Sequence, residues 1–303
     1  MTLKFNLLFP MRAVKRWDRW SEGASIGEIA KLVEDAGFHG FSMSEHPYPD
    51  KDWLAHGGHH AFDPFVSLSF AAAATRTLRV ITFVMVAGYR NPYLAAKAAA
   101  SLDVLSGGRF TLGTAAGYLK SEFDALGAEF SRRGQLMDEA IEAWKRTWDG
   151  QEHLGGEFGV ANHVALPLPR TPGGPPVWIG GNGGAARRRV VEVADGWIPM
   201  AASGEFAEIT RARALEQIDV LADWIAEVNA RRAERGRGAA DVAFMPFEAA
   251  LLAQGCDAFC SAVQAKLSAY AAAGVTWITL EPASRSLTDF RADIQTLSCL
   301  LGD

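Results

Sequence analysis

Three clusters of residues in this chain have the makings of a chemical site. The first is Ser44-Glu45-His46-Pro47, which closes the apolar run GFSM and sets a carboxylic acid beside an imidazole. Histidine changes charge near neutral pH, so His46 suits proton transfer, or a hydrogen bond to a ring nitrogen or carbonyl. Glu45 is read as a catalytic neighbour, or as an ion-pair partner orienting His46 or an arginine. The second cluster lies in PPVWIGGNGGAARRRV (175–190), a strand entering a glycine-rich turn and then a helix. There Gly180, Gly181, Asn182 and Gly183 offer free backbone N–H groups at a helix N-terminus, which suits a phosphate. Arg187, Arg188 and Arg189 follow, and cations near a helix N-terminus oppose its dipole unless an anion is close. The third is Gly113-Thr114-Ala115-Ala116-Gly117-Tyr118, where small residues let a planar ring approach the backbone and Tyr118 can stack, donate a hydrogen bond or pack.

Several competing chemistries fail on spacing. Gly181 to Ala186 satisfies G-x-G-x-x-A, yet a dinucleotide fingerprint belongs in the first βα turn and is followed about twenty residues later by an acidic residue. Here it follows the fifth strand, and Asp195 comes too early. The loop 47–62 carries Trp53, His56, His59 and His60 with Asp50 and Asp52, but the histidine spacing matches no metal-ligand pattern, so no metal is expected. The loop reads as a lid or substrate wall, with Trp53 and His56 as substrate-facing candidates, and Arg90, just beyond the third strand, as a residue to meet an anionic substrate or tail. There is no G-x-S-x-G elbow and no Walker loop.

Strands and helices alternate along the whole chain to position these groups. Apolar β-like runs occur at 3–9, 40–45, 78–87, 109–115, 176–181, 196–200, 241–248 and 275–282. Helices are expected near 25–37, from Asp63-Pro64, from Asn91-Pro92, and near 131–149, 184–194, 206–235, 257–273 and 287–300. Asp or Asn as cap with Pro at the first helical position marks two of the starts. Eight βα units with no linker predict one α/β domain over 1–303, a (β/α)8 TIM barrel with its site in the loops after the strands.

Bulk composition agrees. The 303 residues are 49% hydrophobic and 21% charged, enough apolar content for a sizeable core. A net charge of −5 argues against nucleic-acid or anionic-membrane binding. Three cysteines without a CxxC pair point to a reduced, cytoplasmic protein, and no segment has the length of a membrane span.

The runs DPFVSLSFAAAATRTLRV (63–80), YRNPYLAAKAAASLDVLSGGRFTLGTAAGYLKSEFDALG (89–127), RRGQLMDEAIEAWKRTW (132–148), PPVWIGGN (175–182) and ADGWIP (194–199) resemble the bacterial luciferase-like family of flavin- and deazaflavin-dependent oxidoreductases. The resemblance is specific from about 25 to 200. It implies a ring cofactor across the barrel mouth, its phosphate near the turn at Gly180–Gly184, and His46 beside the ring. It implies a backbone bulge behind the ring in the third strand, placed at Thr82-Phe83, often with a non-proline cis bond. The family's G-x-x-x-G turn matches Gly113 and Gly117. Sugar-phosphate dehydrogenases of the family carry a glutamate next, where this chain has Tyr118. The absence of large insertions is most similar to the shorter branch using coenzyme F420, so the expected activity is hydride transfer between deazaflavin and a small organic substrate. The alternatives are an FMN-dependent monooxygenase fed by a reductase and, in another class, a non-catalytic cofactor-binding protein. A homodimer is expected from the same resemblance.

Overall fold

The computed structural model describes residues 2–11, 26–210 and 212–302. Its strands are β1 (Lys4–Leu8), β2 (Gly40–Met43), β3 (Arg79–Thr82), β4 (Met85–Val86), β5 (Phe110–Ala115), β6 (Val177–Gly180), β7 (Gly196–Ile198), β8 (Asp241–Phe244) and β9 (Trp277–Leu280). All pairings among them are parallel, in the order β3-β2-β1-β9-β8-β7-β6-β5-β4. The sheet closes because β5 pairs with both β3 and β4, Val80 opposite Phe110 and Met85 opposite Thr114. β3 and β4 are therefore one barrel strand interrupted at Phe83-Val84, and the result is a closed eight-stranded (β/α)8 barrel. The peptide bond between Phe83 and Val84 is cis, one residue beyond the expected Thr82-Phe83.

Two packed regions follow from the alternation of side chains along each strand. Outward residues such as Phe5, Leu7, Phe41, Leu112 and Val177 join the surrounding helices in the main core. Inward residues Ile81, Trp178, Ile198, Ala243 and Trp277 fill the barrel, with Phe83 and Val84 packed against them. Asn6 forms a polar layer there, donating to Ser42 Oγ at 2.8 Å and Thr279 Oγ1 at 3.3 Å. The helix Ile26–Asp35 shows how the outer layer is held: it buries Ile26, Ile29, Ala30 and Val33, the spacing of one helical face. Each fully buried branched side chain contributes about 1.5–3 kcal/mol.

The two expected caps are present. Asp63 accepts from Val66 N at 3.0 Å above Pro64–Ala74, and Asn91 accepts from Tyr93 N at 2.9 Å above Pro92–Leu105. Other expectations need correcting. The helix expected over 206–235 is two helices, Gly204–Thr210 and Ile218–Ala233; residue 211 lies outside the described residues, as does the first residue of the 25–37 helix. The chain between them is held by a backbone bridge that pairs buried Leu215 with Ala202. The 257–273 helix is likewise two pieces, Cys256–Gln264 and Leu267–Ala272. The strand expected over 241–248 is β8 and stops at Phe244, ahead of Pro246 and a short 3-10 turn. The helix Lys120–Ala125, directly after β5, was not expected from the sequence. Among the described residues no helix is long and apolar enough to cross a membrane.

Candidate active site at the barrel mouth

Glu45 and His46 follow the C-terminal end of β2, on the face where barrel enzymes build their sites. Their side chains enter two different networks. Glu45 is 4% exposed; its Oε2 accepts from Val86 N at 2.7 Å, and its Oε1 pairs with Arg90. Arg90 also lies 3.7 Å from Asp63 and stacks 5.5 Å over the Phe65 ring. Burial pushes the Glu45 carboxyl above its ordinary value, although the Arg90 guanidinium and the Val86 N–H pull the other way. Of the expected roles of Glu45, the ion pair with an arginine is the one formed, and the two side chains brace the end of β2 against the turn after β4.

His46 turns to a different partner. Its Nδ1 lies 3.1 Å from Oε2 of Glu122, a carboxylate with no exposed surface. Glu122 Oε1 accepts from Tyr48 N at 2.9 Å, and Oε2 accepts from Tyr89 OH at 2.9 Å. Burial first, and then the Glu122 charge, push the Tyr89 phenol far above its ordinary range, so it remains a donor. Glu122 was not singled out in the sequence; it sits in SEFDALG with no periodicity to mark it, inside the unexpected Lys120–Ala125 helix.

The 47–62 loop folds over the imidazole. The ring of Trp53 lies 4.4 Å from that of His46 between centroids, His59 4.8 Å edge-on, and Tyr118 6.2 Å. Trp53 is carried on the short helix Lys51–Ala55, which Asp50 caps by accepting from Trp53 N at 2.7 Å. Ser121 donates to the other oxygen of Asp50, fastening the loop to the Lys120–Ala125 helix. His56 does not join this cluster: it is exposed at the helix end, its Nδ1 2.7 Å from the Asp52 carbonyl. No group of three or more metal-ligating side chains occurs among the described residues.

The glycines divide by cause. A Cβ on Gly113 would stand 2.1 Å from the Thr82 carbonyl oxygen, and one on Gly117, at φ +85°, 2.7 Å from Val86 and 2.8 Å from Phe123. Both positions are therefore required to be glycine by the protein's own packing. Thr82 is fully buried and donates its hydroxyl to the Gly113 carbonyl at 2.7 Å, so its side chain faces β5 and not the mouth. Phe83 is partly exposed above the barrel interior. Gly180 ends β6 against Val84 and Ala115. Gly181 turns the chain at φ +113°, its N–H donating to the Ile198 carbonyl at 3.0 Å.

Asn182 is 1% exposed and fully engaged: Nδ2 donates to the Met200 and Arg213 carbonyls at 2.7 and 2.8 Å, and Oδ1 accepts from Met200 N at 2.9 Å. Its side chain pins two loops and is not free for a phosphate. Gly183 caps the helix Gly184–Glu192 with no side-chain capping bond. A Cβ at Gly183 or Gly184 would meet nothing within 4 Å, so packing does not call for glycine there. Gly183, Gly184 and Ala185 at the start of that helix are exposed beside the end of β6, and the first N–H groups of a helix have no partner within it. The three arginines behind it have carboxylate partners: Arg187 with Glu227 at 2.8 Å, Arg188 with Asp138 and Glu192 at 2.8 Å each, and Arg189 with Asp138 at 2.7 Å. They balance distant side chains, so their presence does not call for a bound anion. Asp103 is fully buried and accepts from Thr171 N and Oγ1 at 2.7 and 2.9 Å.

A closed barrel with a carboxylate-bound histidine and an uncapped helix N-terminus at the ends of its strands defines a class of barrel with an enzyme-like mouth. The luciferase-like monooxygenase family model matches residues 16–278, and the chain belongs to that family. Its members similar to this chain include flavin- and F420-dependent oxidoreductases. An uncharacterized protein of Mycobacterium tuberculosis is 32% identical over 184 residues, 56% of this chain and 63% of that protein's length. The F420-dependent glucose-6-phosphate dehydrogenase of Gordonia bronchialis is 29% identical over 201 residues, 63% of this chain and 56% of its own. The oxygenase component of a flavin-dependent trigonelline monooxygenase from Acinetobacter baylyi is 31% identical over 161 residues, 50% and 41%. Among solved structures, an F420-dependent secondary alcohol dehydrogenase superposes over the full length of both chains with a TM-score of 0.75 at 15% identity, a likeness of fold.

Proposed function

We propose that this luciferase-like oxidoreductase uses coenzyme F420 and moves a hydride between the deazaflavin and a small organic substrate. The observation that carries the reading is the meeting of two features at one end of the barrel: His46 under its aromatic loop, and a helix start at Gly183–Ala185 whose glycines packing does not require. The free N–H groups and the dipole of that helix fit a phosphate. When bound, the deazaflavin would supply the ring carbon that carries the hydride. The chain supplies the rest. His46 would hold or move a proton at the ring face, and Trp53, His59 and Tyr118 would exclude water around it. Tyr118 stands where the resemblance to sugar-phosphate dehydrogenases expects a glutamate, which directs the substrate search to carbonyls and activated double bonds.

The F420-dependent relative is matched over more of this chain than the flavin-dependent one, 63% against 50%, which supports the deazaflavin. The monooxygenase relative keeps FMN with O2 as the second reading. Titration of the apo-protein with F420 and with FMN, followed by quenching of the nine tryptophans, separates them. F420 binding at about micromolar Kd or tighter, roughly −8 kcal/mol, with FMN at least about tenfold weaker, is the expected result. FMN preferred moves the assay to oxygen consumption, and binding of neither overturns the proposal.

A further inference from the structure

We propose that Glu122 is a positioning residue for His46, holding the imidazole with its proton on Nδ1 so that Nε2 is the atom offered to a bound molecule; this rests on the reading of His46 as the proton-handling group. Glu122 has no exposed surface, and its two oxygens already receive Tyr48 N–H at 2.9 Å and Tyr89 O–H at 2.9 Å. With a donor already on each oxygen, Glu122 meets its neighbours as an acceptor. The third neighbour, His46 Nδ1 at 3.1 Å, must then donate. Among the described residues no lysine or arginine forms an ion pair with Glu122, so these three donors satisfy its charge. A ring whose Nδ1 carries the proton has its lone pair on Nε2.

The same helix fixes the cover over the ring. Glu122 holds Tyr48 at the start of the loop, and Ser121 holds Asp50, the cap of the helix that carries Trp53. Residues 121 and 122 thus set both the imidazole and the aromatic side chain packed 4.4 Å from it.

The test is the tautomer of His46 in protein labelled with 15N-histidine, read from long-range 1H–15N correlations at a pH where the ring is neutral and assigned with His46→Asn. The expected result is the Nδ1–H form in the unaltered protein. Glu122→Gln, whose amide can donate to Nδ1, should convert it to Nε2–H, Glu122→Asp should restore Nδ1–H, and Tyr89→Phe should leave it in place. Under the proposed chemistry Glu122→Gln also lowers turnover by about a hundredfold or more, with cofactor affinity within about threefold. An Nε2–H tautomer in the unaltered protein, or no change in Glu122→Gln, overturns the proposal; the first measurement stands even if the variant does not fold. The tautomer is read without cofactor, so a failed F420 titration leaves this result untouched, and a wrong tautomer leaves the cofactor reading untouched.

Discussion

Removing Arg90 strands a buried charge, and the penalty should depend on pH. Glu45 is 4% exposed and its two oxygens are held by Arg90 and by Val86 N–H. In Arg90→Ala only the backbone donor and the more distant surroundings remain. Breaking a buried ion pair by removing one partner costs about 3–5 kcal/mol. For a barrel of this size that is a fall in Tm on the order of 10 °C. The carboxyl has an escape, since burial already raises it above the ordinary glutamate value, and losing the arginine raises it further. A carboxyl raised in the folded state binds its proton there at pH values where the unfolded chain has released it. Folding stability then falls as pH rises from the unfolded value towards the folded one, by up to about 1.4 kcal/mol per unit, and levels off above the folded value. Arg90→Ala should therefore lie close to the unaltered protein near pH 5 and separate from it progressively towards pH 8. Denaturant midpoints and Tm of both proteins across that range make the measurement. Adding Glu45→Gln to Arg90→Ala should remove most of the pH dependence. A penalty below about 1 kcal/mol at pH 8, or one equal at pH 5 and pH 8, would refute the assignment of this pair as a structural brace.

Three further outcomes separate glycines with different causes and locate an acid-sensitive contact. Gly113→Ala drives a Cβ to 2.1 Å from the Thr82 carbonyl and should destabilise by about 3 kcal/mol or more or prevent soluble expression. Gly184→Ala meets open space and should melt within about 2 °C of the parent yet bind the cofactor about tenfold more weakly, because the added methyl stands over the helix start; unchanged affinity would remove the phosphate from that turn. Glu34 accepts from the backbone N–H groups of Arg76, Thr77 and Leu78 at 2.8, 2.7 and 3.1 Å. Burial raises its carboxyl, but these bonds together outweigh that and lower it to about 2. Its stabilisation is thus present above the unfolded value near 4.5 and is lost as pH falls towards 2. Glu34→Gln should lower Tm at pH 7 by an amount worth about 1–2 kcal/mol, and the gap should close in acid; a gap constant from pH 7 to pH 3 would contradict the assignment.

The barrel was legible in the sequence because its signals are local. Each strand is a short apolar run bounded by turn residues, and Asp63-Pro64 and Asn91-Pro92 write the caps of two helices directly. The resemblance puts an interruption of the third strand at Thr82-Phe83, and the structure has it one residue on, at Phe83-Val84, because nothing in the apolar run ITFVMVA distinguishes the two positions. The split of the 206–235 helix has a tertiary cause too: Leu215 pairs back to Ala202, and Asn182 grips the Arg213 carbonyl. Arg187, Arg188 and Arg189 suggested an anion because, apart from Glu192 beside Arg188, their partners Glu227 and Asp138 lie 40 to 51 residues away in sequence. His46 was legible from its place at a strand end. Glu122, 76 residues further on, was not, because nothing around it shows that its carboxylate is buried.

Glu45 and His46, consecutive residues shortly after β2, explain why brace and site coexist without interfering. Successive side chains of an extended chain point to opposite sides. Glu45 accordingly turns towards Arg90 and the turn after β4, while His46 turns towards Glu122 and the loop that carries Trp53. Had both faced the mouth, the Glu45 charge would have competed with Glu122 for the imidazole, and either nitrogen could have carried the proton. With Glu45 held elsewhere, only one carboxylate contacts the His46 ring within hydrogen-bond reach among the described residues, and it meets Nδ1. The buried Glu45–Arg90 pair thus holds a second carboxylate away from the His46 ring.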